Sequence, residues 1–345
     1  LVSSGYAWMS DDRKEDLFFV SESRNMREMV TDVAGYPFQG RRTISQYFCE
    51  DIPEFVCVYN AHPLNTSILR LAKKYYPKGV RSIYLHEPDP LRVLPANGGL
   101  FRALYLKFLD RLQAMTVAST TDVILPSPFS RDLFRKRFPM YNGKTHLAPL
   151  LVPSCQRNAP GTRKFFSMVG QFNFSKRPDL LIDMANLASL ENLDLEFLIA
   201  TASNIDVPLS RLYKEGSGRL TVIRKEHLSD ADINAALSES YAVCCLHPNV
   251  TQSGVLPVAF MNSVPVIAPS DPGFSQYIDH RKNGWLLPRN FVPRDLLEAM
   301  LYIKEHFSEM SANASKTYDR LFSPHRFDEY YFWLLDRIGA GEKIR

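Results

Sequence analysis

The sequence predicts an α/β protein built from two doubly wound, Rossmann-like domains. Short apolar runs rich in β-branched residues alternate with helix-length segments, the pattern of parallel sheets covered by helices. The alternation stops once, at a proline-containing stretch from Ala148 to Arg163, and then restarts. The chain has 345 residues, too many for one compact core but natural for two.

In the first half, Phe55–Tyr59 reads as a strand, Leu64–Tyr76 as a helix and Val80–Leu85 as the next strand. Leu100–Gln113 is a periodic helix, Asp122–Leu125 a strand and Ser130–Phe138 a helix. Pro149, Pro153 and Pro160 with Gly161 then interrupt the pattern. The second half gives strand Phe165–Val169, helix Pro178–Ser189 and strands Leu193–Ala200 and Leu220–Ile223. Helix Asp230–Ser238, strand Tyr241–Leu246, a helix through Ala259 and strand Pro265–Ala268 follow. Phe322–Ile338 closes the chain as an aromatic-rich helix with an apolar face to bury. The expected domains are 1–160, with its start open to being incomplete because the sequence begins at Leu1 rather than methionine, then 161–321, and a terminal segment 322–345.

Composition is that of an ordinary globular protein, with 45% hydrophobic and 23% charged residues. The net charge of +4 is too mild, without a recognition motif, to suggest nucleic-acid binding. No apolar run reaches the roughly 18 residues of a membrane span, and no signal peptide is visible. The 5 cysteines show neither a disulfide framework nor zinc-ligand spacing, so a reducing, cytoplasmic setting is the simplest expectation. Cys244 and Cys245 are neighbours in a strand and should face opposite sides of a sheet. Two glycosylation sequons, Asn173-Phe174-Ser175 and Asn249-Val250-Thr251, fall in the turns assigned below to a ligand, where a glycan would obstruct it.

Two turns suit an anionic ligand. Gly170-Gln171-Phe172-Asn173-Phe174-Ser175-Lys176 joins a strand to a helix with Pro178 in its first turn, offering unpaired backbone N–H groups and the Lys176 charge. Thr251-Gln252-Ser253-Gly254-Val255 is the second, where successive N–H groups from Ser253, Gly254 and Val255 could form an anion nest. An ordinary loop and a simple helix cap by Thr251 or Ser253 are the structural alternatives. In the first half, His86-Glu87 ends one strand and His62 the preceding one, where open sheets present ligand groups; hydrogen-bonded structural histidines are the alternative. Phe101, Leu104, Tyr105, Phe108, Leu109 and Leu112 repeat at helical spacing beside Arg102, Lys107 and Arg111. A core-facing helix is the ordinary reading and a membrane-surface helix the other. Arg131–Phe138 is a second basic stretch, by default a solvated face.

The order of these segments resembles the retaining glycosyltransferases of the GT-B fold, family-4 type (glycosyl transferases group 1), in a branch with a Thr-Gln-Ser-Gly turn. "VYNAHPLN" and "SIYLHEPDP" look like its two histidine-bearing strand ends, and "TDVILPSPFSRDLFRKRFP" like its serine-flanked helix start. "VGQFNFSKRPDLLIDMANLA" is similar to its donor-phosphate motif, with Gln171 in place of arginine and Lys176 kept. "TQSGVLPVAFMNSVPVIAPSDPGFSQYIDHRKNGWLL" resembles its longest signature, and "FSPHRFDEYYFWLLDRI" its terminal helix crossing back to the first domain. The likeness runs from about residue 55 to the end. Two glutamates usual around the glycine turn are absent: Thr251 and Gln252 stand at the first and Val258 or Ala259 at the second, and Gln276 replaces a third. Leu1–Gly5 resembles the end of the family's first strand, with a shortened segment before "DLFFV".

The resemblance implies two domains facing across a cleft. It implies a sugar moved from a nucleoside-diphosphate sugar to a glycan or lipid-linked acceptor with retention, in polysaccharide or glycoconjugate synthesis. Gly170, Gln171, Lys176 and Thr251 to Val255 would bind the donor, and His86 and Lys176 would be catalytic. His62 and Glu87 would face the acceptor. No metal and no cofactor beyond the sugar nucleotide are expected. The setting would be cytoplasmic, with peripheral contact at the inner face of a membrane left open. The alternative is a non-catalytic GT-B-like carbohydrate-binding or accessory subunit.

Overall fold

The computed structural model describes residues 55–60, 62–93, 100–150, 152, 162–172 and 176–326. The segments expected at Leu1–Gly5 and "DLFFV", the sequon at Asn173, most of the linker and the terminal helix beyond residue 326 lie outside them. The chain divides into two compact units, with the break between Pro149 and Leu150.

In the first unit four parallel strands lie in the order β1-β2-β3-β4. They are β1 (Phe55–Tyr59), β2 (Val80–Tyr84), β3 (Asp122–Leu125) and β4 (Lys144–Leu147), of which only β4 is not expected from the sequence. Three helices connect them: α1 (Asn65–Tyr75), α2 (Leu100–Val117) and α3 (Pro128–Arg137). Val56 and Val58 of β1 turn inward with Ile83, Val123 and Leu125, and α1 covers them with Ile68, Leu69 and Ala72. α3 starts where it does because Ser127 Oγ accepts the Ser130 N–H at 3.0 Å and Pro128 holds the first helical position.

The second unit carries six parallel strands, β5 (Phe165–Val169), β6 (Glu196–Thr201), β7 (Leu220–Arg224), β8 (Ser240–Cys244), β9 (Val266–Pro269) and β10 (Gly284–Leu287). Their order, β10-β9-β8-β5-β6-β7, is doubly wound: the chain starts at the middle, runs out to one edge, returns beside its first strand and runs to the other. Helices α4 (Pro178–Leu190), α5 (Asp206–Leu209), α6 (Asp230–Ser238), α7 (Val255–Met261), α8 (Pro272–Ser275), α9 (Pro293–Glu305) and α10 (Phe307–Leu321) connect and follow the strands. The sheet separates two apolar layers. Phe166, Met168, Phe197 and Cys244 face α4 and α9, whereas Val169, Val243 and Cys245 face α7 and α10. The neighbouring cysteines thus enter different cores, as strand alternation requires. The strand expected from Leu193 begins only at Glu196. Phe322, at the start of the expected terminal helix, is fully buried in the second unit, and its carbonyl accepts the Val152 N–H at 3.1 Å.

Candidate functional site

The two predicted anion-binding turns follow β5 and β8. These strands are hydrogen-bonded neighbours, and between them the winding of the second sheet reverses. Loops leaving such a pair diverge and open a crevice at the carboxyl ends of the strands. Gly170 ends β5 at φ +107, a conformation that L side chains rarely adopt, with its N–H on the Ala200 carbonyl at 3.0 Å. A Cβ at Gly170 would lie 3.8 Å from Val255 Cγ2, so the first turn touches the second. Gln171 is exposed, and the Phe172 N–H is held by Ser203 Oγ at 2.8 Å.

Lys176 is partly buried, and burial lowers its ammonium pKa from the ordinary value. Its charge is felt by Cys245 and His247, both in the loop after β8. Burial, reinforced by that charge, pushes His247 down to about 4, so the ring is neutral near pH 7. The ring stands edge-on to Phe274, centroids 5.5 Å apart. Burial lifts the Cys245 thiol to about 11, and the thiol shares a hydrogen bond with the Ser253 side chain.

Thr251, Gln252 and Ser253 are buried, and Gly254 is exposed. No side chain caps α7, so the expected alternative of a Thr251 or Ser253 cap is not what this turn does. Gly254 has an ordinary φ of −67, and a Cβ there would meet open space. The glycine that packing requires is Gly273, where a Cβ would fall 1.9 Å from the Val250 carbonyl oxygen. That close approach presses the loop after β9 against the turn. Asp271, 2% exposed, adds a brace by accepting the Asn249 N–H at 3.0 Å and Arg289 Nη2 at 3.3 Å. Gln276 Nε2 reaches the Thr251 and Gly273 carbonyls at 3.4 and 3.1 Å.

Gln252 stands apart. It is 7% exposed, yet neither its amide nitrogen nor its amide oxygen has a hydrogen-bond partner among the described residues. A buried amide normally has both satisfied. Gln276 Oε1 is in the same condition. Two neighbouring glutamines beside the second turn thus keep unfilled hydrogen-bonding capacity among the described residues.

In the first unit Asn60 joins the ends of β1 and β2. It sits in the left-handed region at φ 49, its Oδ1 accepts the His86 N–H at 2.8 Å, and its carbonyl accepts Asn65 Nδ2 at 2.6 Å. Burial depresses the His86 pKa, favouring the neutral ring. His62 Nδ1 accepts the Leu64 N–H at 3.2 Å, so one ring nitrogen serves the start of α1. Glu87 Oε1 accepts the Asp89 N–H at 3.2 Å. The loop carrying His86 and Glu87 is braced from behind. Gln113, 2% exposed, donates to the Glu87 carbonyl at 2.8 Å. Arg137 donates to the Pro88 carbonyl, Gln113 Oε1 and the Asp110 carbonyl, and pairs with the Asp110 carboxylate. Arg137 is therefore committed to the fold rather than part of a solvated basic face, while Arg135 and Lys136 remain exposed.

Asn60, Gln113, Arg137, Cys245, His247 and Asp271 were not singled out from the sequence as site residues. The strand-end argument that pointed to His86 applies equally to Cys245 and His247, just past β8. Among the described residues no group of three or more His, Cys, Asp or Glu could hold a metal ion.

The fold and the placement of these turns define a GT-B type of protein. The stretch 155–317, which lies within the second unit, matches the family described as glycosyl transferases group 1. A curated relative, the alpha-1,3/1,6-mannosyltransferase alg2 of Schizosaccharomyces pombe, is 24% identical over 246 residues, 60% of this chain and 48% of the relative. The chain thus spans about half the length of that protein. A glycosyltransferase from Rickettsia africae superposes with a TM-score of 0.64 at 13% identity, covering 94% of this chain and 86% of that one. Anabaena Alr3699/HepE in complex with UDP-glucose superposes at 0.62 with 15% identity, covering 88% and 84%. These structural likenesses establish the shared fold.

Proposed function

We propose that this chain is a retaining, metal-independent glycosyltransferase. It would move a sugar from a nucleoside diphosphate to a glycan or lipid-linked acceptor at the cytoplasmic face of a membrane. The observation that carries the reading is the buried Gln252 amide, without a hydrogen-bond partner among the described residues, in the turn at the winding reversal, with Lys176 and the uncapped start of α7 nearby. An unmet buried amide costs stability, so its retention favours a ligand that fills it. The match of residues 155–317 to the glycosyl transferases group 1 family and UDP-glucose on a protein of the same fold favour a sugar nucleotide.

In this reading the bond from the anomeric carbon to the leaving phosphate oxygen breaks. The acceptor oxygen bonds to that carbon on the same face, and its proton passes to the departing phosphate. Negative charge grows on the diphosphate. Lys176 and the N–H groups of Ser253, Gly254 and Val255 meet it, and the partial burial of Lys176 strengthens its effect. Gln171 can donate a hydrogen bond to the diphosphate but brings no positive charge, so the site leans on Lys176 for charge. Thr251 and Gln252 hold the transferred sugar and Gly170 leaves room for the phosphates. A neutral His86 would touch the reaction centre from the acceptor side, with His62 and Glu87 near the acceptor.

The test is a thermal-shift series against UDP, GDP, ADP, TDP and CMP, followed by transfer assays, with Lys176→Ala in parallel. One diphosphate should raise the melting temperature by linkage. Lys176→Ala should lose that rise and the transfer activity while its own stability stays within about 0.5 kcal/mol. Near-normal turnover in the variant would end the assignment. Nucleotide binding without turnover would make the chain a non-catalytic GT-B protein.

A further inference from the structure

α2 has two unlike faces. Leu106, Gln113, Thr116 and Val117 are buried on one side. On the other, Leu104, Lys107, Phe108, Arg111 and Met115 are all exposed, the three apolar side chains by 54%, 47% and 43%. At about 100° per residue these five fall within an arc of roughly 100°, one stripe running about 16 Å along the helix. The core-facing reading holds only in part: Tyr105, Leu109 and Leu112 are partly buried beside the core, whereas Leu104 and Phe108 point to solvent. The helix's single acidic residue, Asp110, lies off the stripe and is neutralised by Arg137.

We infer that this stripe docks the protein on an anionic lipid surface. The chemistry separates this occupant from a protein partner. Cores of protein interfaces are depleted in lysine. Here Lys107 and Arg111 are interleaved with Leu104, Phe108 and Met115, so any partner covering the apolar atoms must also accept two cations. A bilayer interface does both, taking apolar tips below the headgroups while the long basic stems reach up to phosphate. This extends the proposed function, because a lipid-linked acceptor would be met at such a surface, but the binding itself needs neither donor nor acceptor.

The test is co-sedimentation of the 345-residue chain with vesicles of phosphatidylcholine alone or mixed with phosphatidylglycerol, without nucleotide or acceptor. Binding should require phosphatidylglycerol and weaken as salt shortens the Debye length. Lys107→Gln with Arg111→Gln should bind about 25-fold more weakly, the effect of two cations at an anionic surface. Leu104→Ser with Phe108→Ser should also lose binding, and both variants should keep the parent melting temperature because every position is exposed. Absence of wild-type binding, binding indifferent to phosphatidylglycerol, or unaltered binding by both variants would overturn the inference. So would a dimer in size-exclusion chromatography that the Leu104/Phe108 variant dissociates, since the occupant would then be a second copy. Nucleotide-induced thermal shifts are read separately, so loss of the lipid inference leaves the transferase reading standing, and the reverse.

Discussion

Replacing Gln252 by methionine should make the unliganded protein more stable and the liganded one weaker. The side chain is 7% exposed, with both amide atoms unpartnered among the described residues. A buried unsatisfied polar group costs about 1–3 kcal/mol, and methionine keeps the length and most of the volume while removing the polar atoms. For a unit of this size each kcal/mol moves the melting temperature by about 2–4 °C, so a rise of about 2–12 °C is expected without ligand. With a sugar nucleotide the amide's hydrogen bonds are lost. At about 1 kcal/mol for each of two neutral bonds, affinity should fall by at least tenfold. Differential scanning fluorimetry with and without the active nucleotide measures both effects on one sample. A variant that melts lower than the parent without nucleotide, or that keeps the full ligand-induced rise, would refute the argument that Gln252 is held for a ligand.

Gly273→Ala places a Cβ 1.9 Å from the Val250 carbonyl and should destabilise the second unit by about 3 kcal/mol or more, read by thermal unfolding. His247 carries a pKa of about 4 against an ordinary 6.5. Between those values the unfolded chain takes up a proton that the folded one refuses, so stability is lost as pH falls from 6.5 toward 4, by up to about 3 kcal/mol. His247→Asn should lose less stability than the parent between pH 7 and 4.5 in urea unfolding; an identical loss would count against a neutral buried ring. Arg137→Ala should cost about 2–3 kcal/mol by breaking charge-assisted bonds to the loop behind His86, with Arg137→Lys recovering only part because an ammonium cannot reproduce the guanidinium fork. Chemical denaturation of the three proteins compares them.

Each unit was legible in part: β1 and β3 of the first fall at their expected bounds, whereas β10, α9 and α10 of the second were not expected as elements. β5 and α6 fall at the expected bounds, and the other expected strands are offset by a few residues at most. Fully buried parallel strands are written as continuous apolar runs, and helix starts there are written as proline or a capping box, such as that of Ser229 with Asp232. β4 was missed because Lys144-Thr145-His146-Leu147 is half exposed and carries no such run. α2 misled for a different reason. Periodicity says that one face differs from the other, but not which of the two meets the core, and its buried face includes Gln113 and Thr116. In the site, glycine, lysine and histidine at strand ends were visible as residue types. What was not visible is satisfaction: that Arg137 is committed and Gln252 is not depends on partners distant in sequence.

Cys244 and Cys245 give the second unit a built-in pair of reporters. One thiol lies under α4 and α9 and the other under α7 and α10, so each is shielded by a different helical layer. A thiol reagent can reach Cys244 only when the first layer lifts and Cys245 only when the second does. Matching labelling rates would mean that the sheet releases both layers in one cooperative event. A faster Cys245 would mean that the layer holding the Gln252 turn opens on its own, and a bound nucleotide should then slow that cysteine alone.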